Sequence, residues 1–288
     1  MKTVKLGFVD FAGHWGPWPS PIEFIRNTLK DDYDIQVTNS DFVGNCFDSG
    51  VAPEFVICAI GRTGHMKYTC PKIFWPEEPW VPLDLETYQY ALTFRIIDDP
   101  RHHRLPIYPL FADVASLMQP RPFNEPKEFC AVLLGHPYPN EMTPREEFFR
   151  RLCGYKKVHS AGHYLNNVGF AKTMQEKTDF VKNYKFVLAF ESQSIPGFTT
   201  EKCFQPLVAN TVPIYWGNPF IGRDFNTKRF INGMDYENLD KLFDRIVEVD
   251  SNPDLYRAML QEPVFPGNVP ANEVTKEGLV KFFRGIFG

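Results

Sequence analysis

Residues 186–219 read FVLAFESQSIPGFTTEKCFQPLVANTVPIYWGNP, with Glu201 and Lys202 directly after the pair Thr199-Thr200 and between two apolar runs. FVLAFE reads as a buried strand and SQSIPGFT as a loop. TEKCFQPLVAN reads as a helix, with Thr200 as N-cap and Asn210 as a left-handed residue just past its end. Glu201 and Lys202 then occupy the first helical turn, beyond the carboxyl end of a parallel strand, where open α/β sheets bind ligands. Free backbone N–H groups and the helix dipole favour an anion there, and a lysine adds a full charge. A phosphate would gain about 1.5–3 kcal/mol per charge-assisted hydrogen bond. A glutamate has little use for phosphate but suits a ribose or sugar hydroxyl. A capped helix with a solvated Glu-Lys pair accounts for the same residues, and both readings stay open. Pro206, inside this helix, predicts a kink.

A second candidate lies in KIFWPEEPW, where Glu77 follows a strand's end among Phe74, Trp75 and Trp80. At an ordinary pKa of about 4.3 it would be ionised but a feeble base. An apolar pocket would raise that value and strengthen it as a general base. Glu78, adjacent and alternating across the backbone, is its rival. FAGHWGPWPS places His14 and Trp15 in a Pro/Gly loop suited either to stacking on a sugar ring or to packing on itself. Arg145 begins the helical stretch after Thr143-Pro144, where a guanidinium can grip phosphate oxygens bidentately or lie solvated. His65 with Cys70, and the pair His102-His103, lack zinc-site spacing; the pair, within DDPRHHRLP, reads as a charged surface loop. No D-x-D motif for a divalent metal is read, and no metal is expected.

These groups need a scaffold. KLGFVDF, DIQVTNS and PEFVICAIG read as strands, with SPIEFIRNTLKDDY as a helix opened by Ser20-Pro21. This alternation argues for parallel α/β sheets. The proline-broken run PLFADVASLMQPRPFNEPKEF is the expected interdomain linker. Beyond it CAVLLGH, KKVHSAG, KFVLAFE and TVPIYWG read as strands. TPREEFFRRLCGY reads as a helix with Thr143 as N-cap and Pro144 at N1, and NLDKLFDRIVEVDSN and TKEGLVKFFRGIF as late helices. The length of 288 residues suits two domains, and the net charge of −4 gives no general pull toward nucleic acid or anionic lipid. No signal peptide or transmembrane run is read, so a soluble protein is expected. The six cysteines are scattered without C-x-x-C, as in a chain with reduced, buried thiols.

The segment ESQSIPGFTTEKCFQPLVANTVPIYWGNPFIGRDFN resembles the donor motif of the α1,3/4-fucosyltransferases, glycosyltransferase family ten, in its bacterial form. KIFWPEEPWVP, DDPRHHRLPIY and REEFFRRLCGYKKVHSAGHYLNNVG match three further blocks of that family in the right order. The resemblance implies an inverting enzyme of GT-B type: two Rossmann-like domains with parallel sheets facing a central cleft. It implies an acceptor domain at 1–122, a GDP-fucose domain at 123–270 and a C-terminal helix at 271–288 packing back on the first. It places Arg145 and Lys202 on the donor pyrophosphate, Glu201 on ribose or fucose hydroxyls, and Glu77 as general base. Further donor-side candidates are Glu191, Ser192, Phe198, Thr200, Asn166 and Asn167; acceptor-side candidates are His14, Trp15, Trp75 and Glu78. The implied partners are GDP-fucose and an oligosaccharide acceptor bearing GlcNAc or Glc, with no cofactor, no metal and no nucleic acid. A cytoplasmic location with peripheral membrane contact is implied, although the chain ends at FFRGIFG without the heptads and basic tail of bacterial relatives. Ser192 replaces the family's asparagine, Phe198 its tyrosine, His159 its aspartate and Pro206 a small residue. These departures bear on sugar specificity more than on GDP binding.

Overall fold

The computed structural model describes residues 1–11, 20–42, 46–59, 63–76, 78–79, 81–111, 113–119, 123, 125, 128–139, 141–169 and 174–288. The candidates His14, Trp15 and Glu77, and also Trp80, lie outside the described residues. The chain divides into two units, Met1–Ala112 with Asn272–Gly288, and Asp113–Ala271. The division falls inside the expected linker, at 112/113 rather than 122/123. Leu117 is buried, and the Met118 carbonyl accepts from Asn268 Nδ2 at 3.2 Å, so the stretch before 122 packs with the second unit.

In the first unit, β1 (Lys2–Val9), β2 (Tyr33–Ser40), β3 (Phe47–Asp48), β4 (Phe55–Cys58), β5 (Lys72–Phe74), β6 (Tyr90–Thr93) and β7 (His102–Arg104) form one sheet. Its order is β3-β2-β1-β4-β5-β6-β7, and only β2–β3 is antiparallel. Helix α1 (Pro21–Leu29) begins at Ser20, whose hydroxyl accepts from Glu23 N, and buries Ile22, Ile25 and Leu29 along one face. The pair His102-His103, expected in a surface loop, instead forms most of β7. Asp99 and Arg101 pair with each other at 2.9 Å in the preceding turn, so the charge is absorbed there and the next residues join the ladder. His102 is buried with Nε2 2.8 Å from Thr93 Oγ1, and His103 Nε2 lies 2.7 Å from the Glu273 carbonyl.

The second unit holds β8 (Glu128–Val132), α2 (Arg145–Tyr155), β9 (Val158–Ser160), α3 (Met174–Val181), β10 (Tyr184–Phe190), α4 (Glu201–Val208), β11 (Val212–Trp216), β12 (Ile231–Asn232), α5 (Leu239–Ser251) and α6 (Pro253–Gln261). The sheet order is β12-β11-β10-β8-β9 with every pair parallel. Such strands are covered on both faces, which is why FVLAF and VPIYW are near-continuous apolar runs. The closing helix α7 (Lys276–Phe287), capped by Thr275, belongs to the first unit. Its Phe287 ring packs 5.5 Å from Tyr33 and 4.8 Å from Phe55. All six cysteines are free thiols; Cys58, Cys130 and Cys203 are buried, whereas Cys46 and Cys153 are exposed. Strand order reverses once in each sheet, between β1 and β4 and between β8 and β10. The carboxyl ends of strands at such reversals are where α/β sheets open crevices for ligands.

Candidate functional site

At the second unit's reversal, the chain leaving β8 leads to Arg145 at the start of α2, and the chain leaving β10 leads to Thr200 at the start of α4. Thr200 is the N-cap of α4, its Oγ1 accepting from Lys202 N at 3.3 Å, and Asn210 past the far end is left-handed with φ 58°. Pro206 lies within α4 without ending it. Glu191, the first residue beyond β10, is fully buried. Its Oε1 accepts from Thr200 N at 2.9 Å, and its Oε2 accepts from the Thr200 hydroxyl at 2.7 Å. Glu191, expected against the donor, is thus a clamp on the helix start. A Cβ at Gly217, where φ is 152°, would stand 2.5 Å from Glu191 Cγ, so this contact needs glycine. Thr143 does not cap α2 as expected. Its hydroxyl donates to the Glu191 carbonyl at 2.9 Å, and Pro144 takes the cap position without a side-chain bond.

The charged groups converge on this clamp. Lys202 Nζ is 3.1 Å from Thr200 Oγ1, 3.3 Å from Glu201 Oε1 and 3.4 Å from Glu191 Oε2. Arg145 is buried, with Nη2 donating to the His136 carbonyl at 3.0 Å and the guanidinium 4.9 Å from the Tyr138 ring centre. Lys177 of α3 lines the same cleft, whose volume is about 30 Å³. Glu201 is buried, and its Oε2 has no hydrogen-bond partner among the described residues. Burial pushes the Glu201 carboxyl up, but Lys202 and Lys177 outweigh it and hold the group below the ordinary range. Burial pulls Lys202 down, yet Glu201 and Glu191 raise it to about 12. Burial lowers both Arg145 and Lys177. Three cations against two carboxylates leave a locally positive cleft at a helix N-terminus. A cavity of about 590 Å³, beside the amino ends of β11 and β12 and lined in part by Met118, Asn210, Arg229 and Arg257, is far roomier. Converging charge identifies chemistry better than volume does, so the tight cleft is the candidate.

The remaining expected residues are placed differently. Ser192 is half-buried next to the clamp, and Phe198 is 3% exposed, its ring in the interior rather than open to a ligand. Asn167 bonds both ends of β9, with Oδ1 accepting from Ser160 N and Nδ2 donating to the Val158 carbonyl, each at 2.8 Å. Asn166 bonds the Gly162 carbonyl and the amides of Val168 and Gly169, so both asparagines shape their own loop. Of the aromatic pocket expected around Glu77 from Phe74, Trp75 and Trp80, only Phe74 and Trp75 are among the described residues, and the two pack apart. Successive side chains take opposite faces, so Phe74 stacks on Tyr88 at 4.5 Å while Trp75, 3% exposed, packs on Phe24 at 5.8 Å. Trp75 therefore offers no face to an acceptor. Glu78 is half-buried.

Two groups escaped the sequence reading. Lys177 belongs to a helix with no strong apolar stripe to announce it. Asp10, with φ 67°, follows β1 at the first unit's reversal; it accepts from Gly64 N at 2.8 Å and His65 N at 3.1 Å, and its Oδ2 lies 2.6 Å from His65 Nδ1. Among the described residues no group of three or more His, Cys, Asp or Glu is placed to hold a metal ion, and no helix is long and apolar enough to cross a membrane.

The family model described as glycosyltransferase family 10 (fucosyltransferase) C-term matches residues 126–261. The Helicobacter pylori alpha-(1,3)-fucosyltransferase FucT is 35% identical over 142 residues, covering 49% of this chain and 28% of the relative. The Homo sapiens GDP-fucose protein O-fucosyltransferase 3 is 29% identical over 129 residues, covering 41% of this chain and 27% of the relative. The chain thus spans little more than a quarter of the length of these curated relatives. A crystal structure of an alpha1,3-fucosyltransferase superposes with a TM-score of 0.78 at 21% identity, covering 99% of this chain and 90% of that one; one with GDP-fucose gives 0.74. That likeness is one of fold, the α/β GT-B type with two Rossmann-like units. Residues 126–261 carry the clamp, the cleft and the α4 turn, and that segment matches the C-terminal domain of glycosyltransferase family 10, the fucosyltransferases.

Proposed function

We propose that this protein transfers L-fucose from GDP-β-L-fucose to a hydroxyl of GlcNAc or Glc in a lactosamine- or lactose-type glycan, forming an α1,3 linkage, with α1,4 as the alternative regiochemistry. The observation that carries this reading is the bare Oε2 of buried Glu201, set among Lys202, Lys177 and Arg145 at the start of α4. A buried oxygen without a donor costs about 1–3 kcal/mol, more when charged. A ribose hydroxyl is such a donor. The flanking cations and the amide end of α4 then suit the diphosphate of the same nucleotide.

In the proposed reaction, Glu77 takes the proton of the acceptor hydroxyl as its oxygen attacks the anomeric carbon of fucose. The bond from that carbon to the β-phosphate oxygen breaks and GDP departs with the electron pair, so the β-linked donor gives an α-fucoside. Lys202, Arg145 and the α4 amides carry the charge developing on the leaving diphosphate, and no metal takes part in this reading. Each such preorganised group contributes about 2.7–4 kcal/mol in other enzymes. Relatives named for different acceptors share fucose as the transferred sugar, so a protein hydroxyl is the second acceptor reading.

Calorimetry with GDP tests the carrying observation: Lys202→Met should lose affinity about 100-fold or more, and Glu201→Gln about 10-fold. Unchanged GDP binding in both variants, or none in the wild type, overturns the reading. Transfer assays with GDP-fucose beside GDP-mannose, on lactosamine, lactose and serine-containing peptides, then assign sugar and acceptor. Linkage analysis of the product assigns the regiochemistry.

A further inference from the structure

Arg145 opens α2, and the loop before it holds both its backbone and its side chain. The Thr143 hydroxyl, donating to the Glu191 carbonyl at 2.9 Å, ties the entry of α2 to the clamp beyond β10. The His136 carbonyl accepts from Arg145 Nη2 at 3.0 Å, and the guanidinium carbon lies over the Tyr138 ring, 4.9 Å from its centre. The bond to His136 uses one of the five N–H groups that a guanidinium carries. The Arg145 side chain makes no other hydrogen bond among the described residues, although it is buried and lines the cleft with Glu201, Lys202 and Lys177.

Burial strips a cation of water, and the negative face of an aromatic ring restores part of that loss. The ring also limits movement. Held at one nitrogen by His136 and at its centre by Tyr138, the guanidinium cannot swing without losing one of the two contacts. Its remaining N–H groups are therefore set before any ligand arrives. Gripping phosphate oxygens in pairs depends on such a setting, because the two bonds must share one geometry. Tyr138 is half-buried, and its hydroxyl makes no hydrogen bond among the described residues. Its contact with Arg145 is thus made by the ring.

We propose that Tyr138 is a positioning residue for Arg145, its ring holding the buried guanidinium so that the remaining N–H groups meet the donor's diphosphate without first having to be ordered. This rests on the nucleotide site proposed above. Calorimetry with GDP tests it. Tyr138→Leu should lower the affinity about 10-fold, within the range of a desolvated cation–π contact. Tyr138→Phe, which keeps the ring and removes only the hydroxyl, should stay within about twofold. A role in packing alone would not separate the two variants, since leucine and phenylalanine both fill the site with apolar atoms.

The decisive measurement is the double variant. In an Arg145→Met background, Tyr138→Leu should cause no further loss of GDP affinity, since a positioning residue acts through the group it positions. Losses that multiply would mean that Tyr138 meets the nucleotide itself and would overturn the proposal. Unchanged affinity in Tyr138→Leu would overturn it as well, and so would a Tyr138→Phe that falls as far as Tyr138→Leu. If Tyr138→Leu fails to fold, Tyr138→Met, with its more adaptable chain, takes its place in the same cycle. A wild type that binds no GDP would instead remove the nucleotide site itself, a result visible before any Tyr138 variant is made.

Discussion

Each unit carries a buried carboxylate where its strand order reverses, and the two are used in opposite ways. Asp10 in the first unit is satisfied by its own chain. It accepts from two backbone amides and pairs with His65 Nδ1, its own N–H donates to Asp41 at 2.7 Å, and His65 Nε2 lies 3.4 Å from the Tyr88 hydroxyl. Glu191 in the second unit is equally buried and bonded, but what it holds is not closed off. Its clamp leaves Lys202 26% exposed and Glu201 with a bare oxygen. The same topology can thus finish a sheet edge or hold charge out for a ligand. The difference lies in where the carboxylate's side-chain partner leads: His65 is closed off by Tyr88, whereas Lys202 leads on to Glu201, whose Oε2 has no partner among the described residues.

Glycines pressed against each carboxylate allow the contrast to be broken from either side. Gly217→Ala combines a Cβ 2.5 Å from Glu191 with an unfavourable φ of 152°. It should cost about 4 kcal/mol of stability and abolish GDP binding. Gly64→Ala meets only Asp10 Oδ1, at 2.6 Å. It should cost about 2 kcal/mol and leave GDP affinity unchanged. Urea unfolding and calorimetry on the two variants check both, and equal loss of GDP affinity would erase the distinction.

The units should also differ in their response to acid. Burial is the largest cause holding His102 down at about 4 from 6.5. Its folded pKa is depressed, so the unfolded chain binds the proton first and stability is lost as pH falls from 6.5 toward 4. The first unit should weaken by up to about 3 kcal/mol across that window, and His102→Gln should flatten the slope. Glu201, also depressed when folded, destabilises the second unit only as pH falls below its unfolded value of 4.5. The smallest effect is expected at the exposed Arg150–Glu146 pair, 2.7 Å apart on α2. Arg150→Ala should shift stability by less than about 0.5 kcal/mol, measured in the same urea series.

Much of the turn that opens α4 was legible because its signals are local. A threonine cap, an acid and a base in the first turn, and Asn210 beyond the end all lie within eleven residues of one another, and each sits as read. Helix α6 was equally legible, opened by Asn252 and Pro253, though it was not read. What escaped depends on separation in sequence. Nothing in FESQ says that Glu191 will hold Thr200, and nothing near Thr143 says that its hydroxyl will turn to a carbonyl 48 residues away instead of capping its own helix. Asp10 and His65, 55 apart, are invisible as a pair. Charge near His102 argued for solvent because local composition does not reveal that Asp99 and Arg101 neutralise each other first.

The closing helix has a consequence for how the chain is made. Leu279, Phe283 and Phe287 complete the core that β1, β2 and α1 begin, and Lys2 Nζ bonds the carbonyl of Phe287. Strands β1 and β2 therefore wait, with an apolar groove uncovered, until the second unit and then α7 have been made. The second unit is continuous and can fold in the meantime. Nascent first-unit segments are natural clients for a chaperone until α7 emerges and seals them.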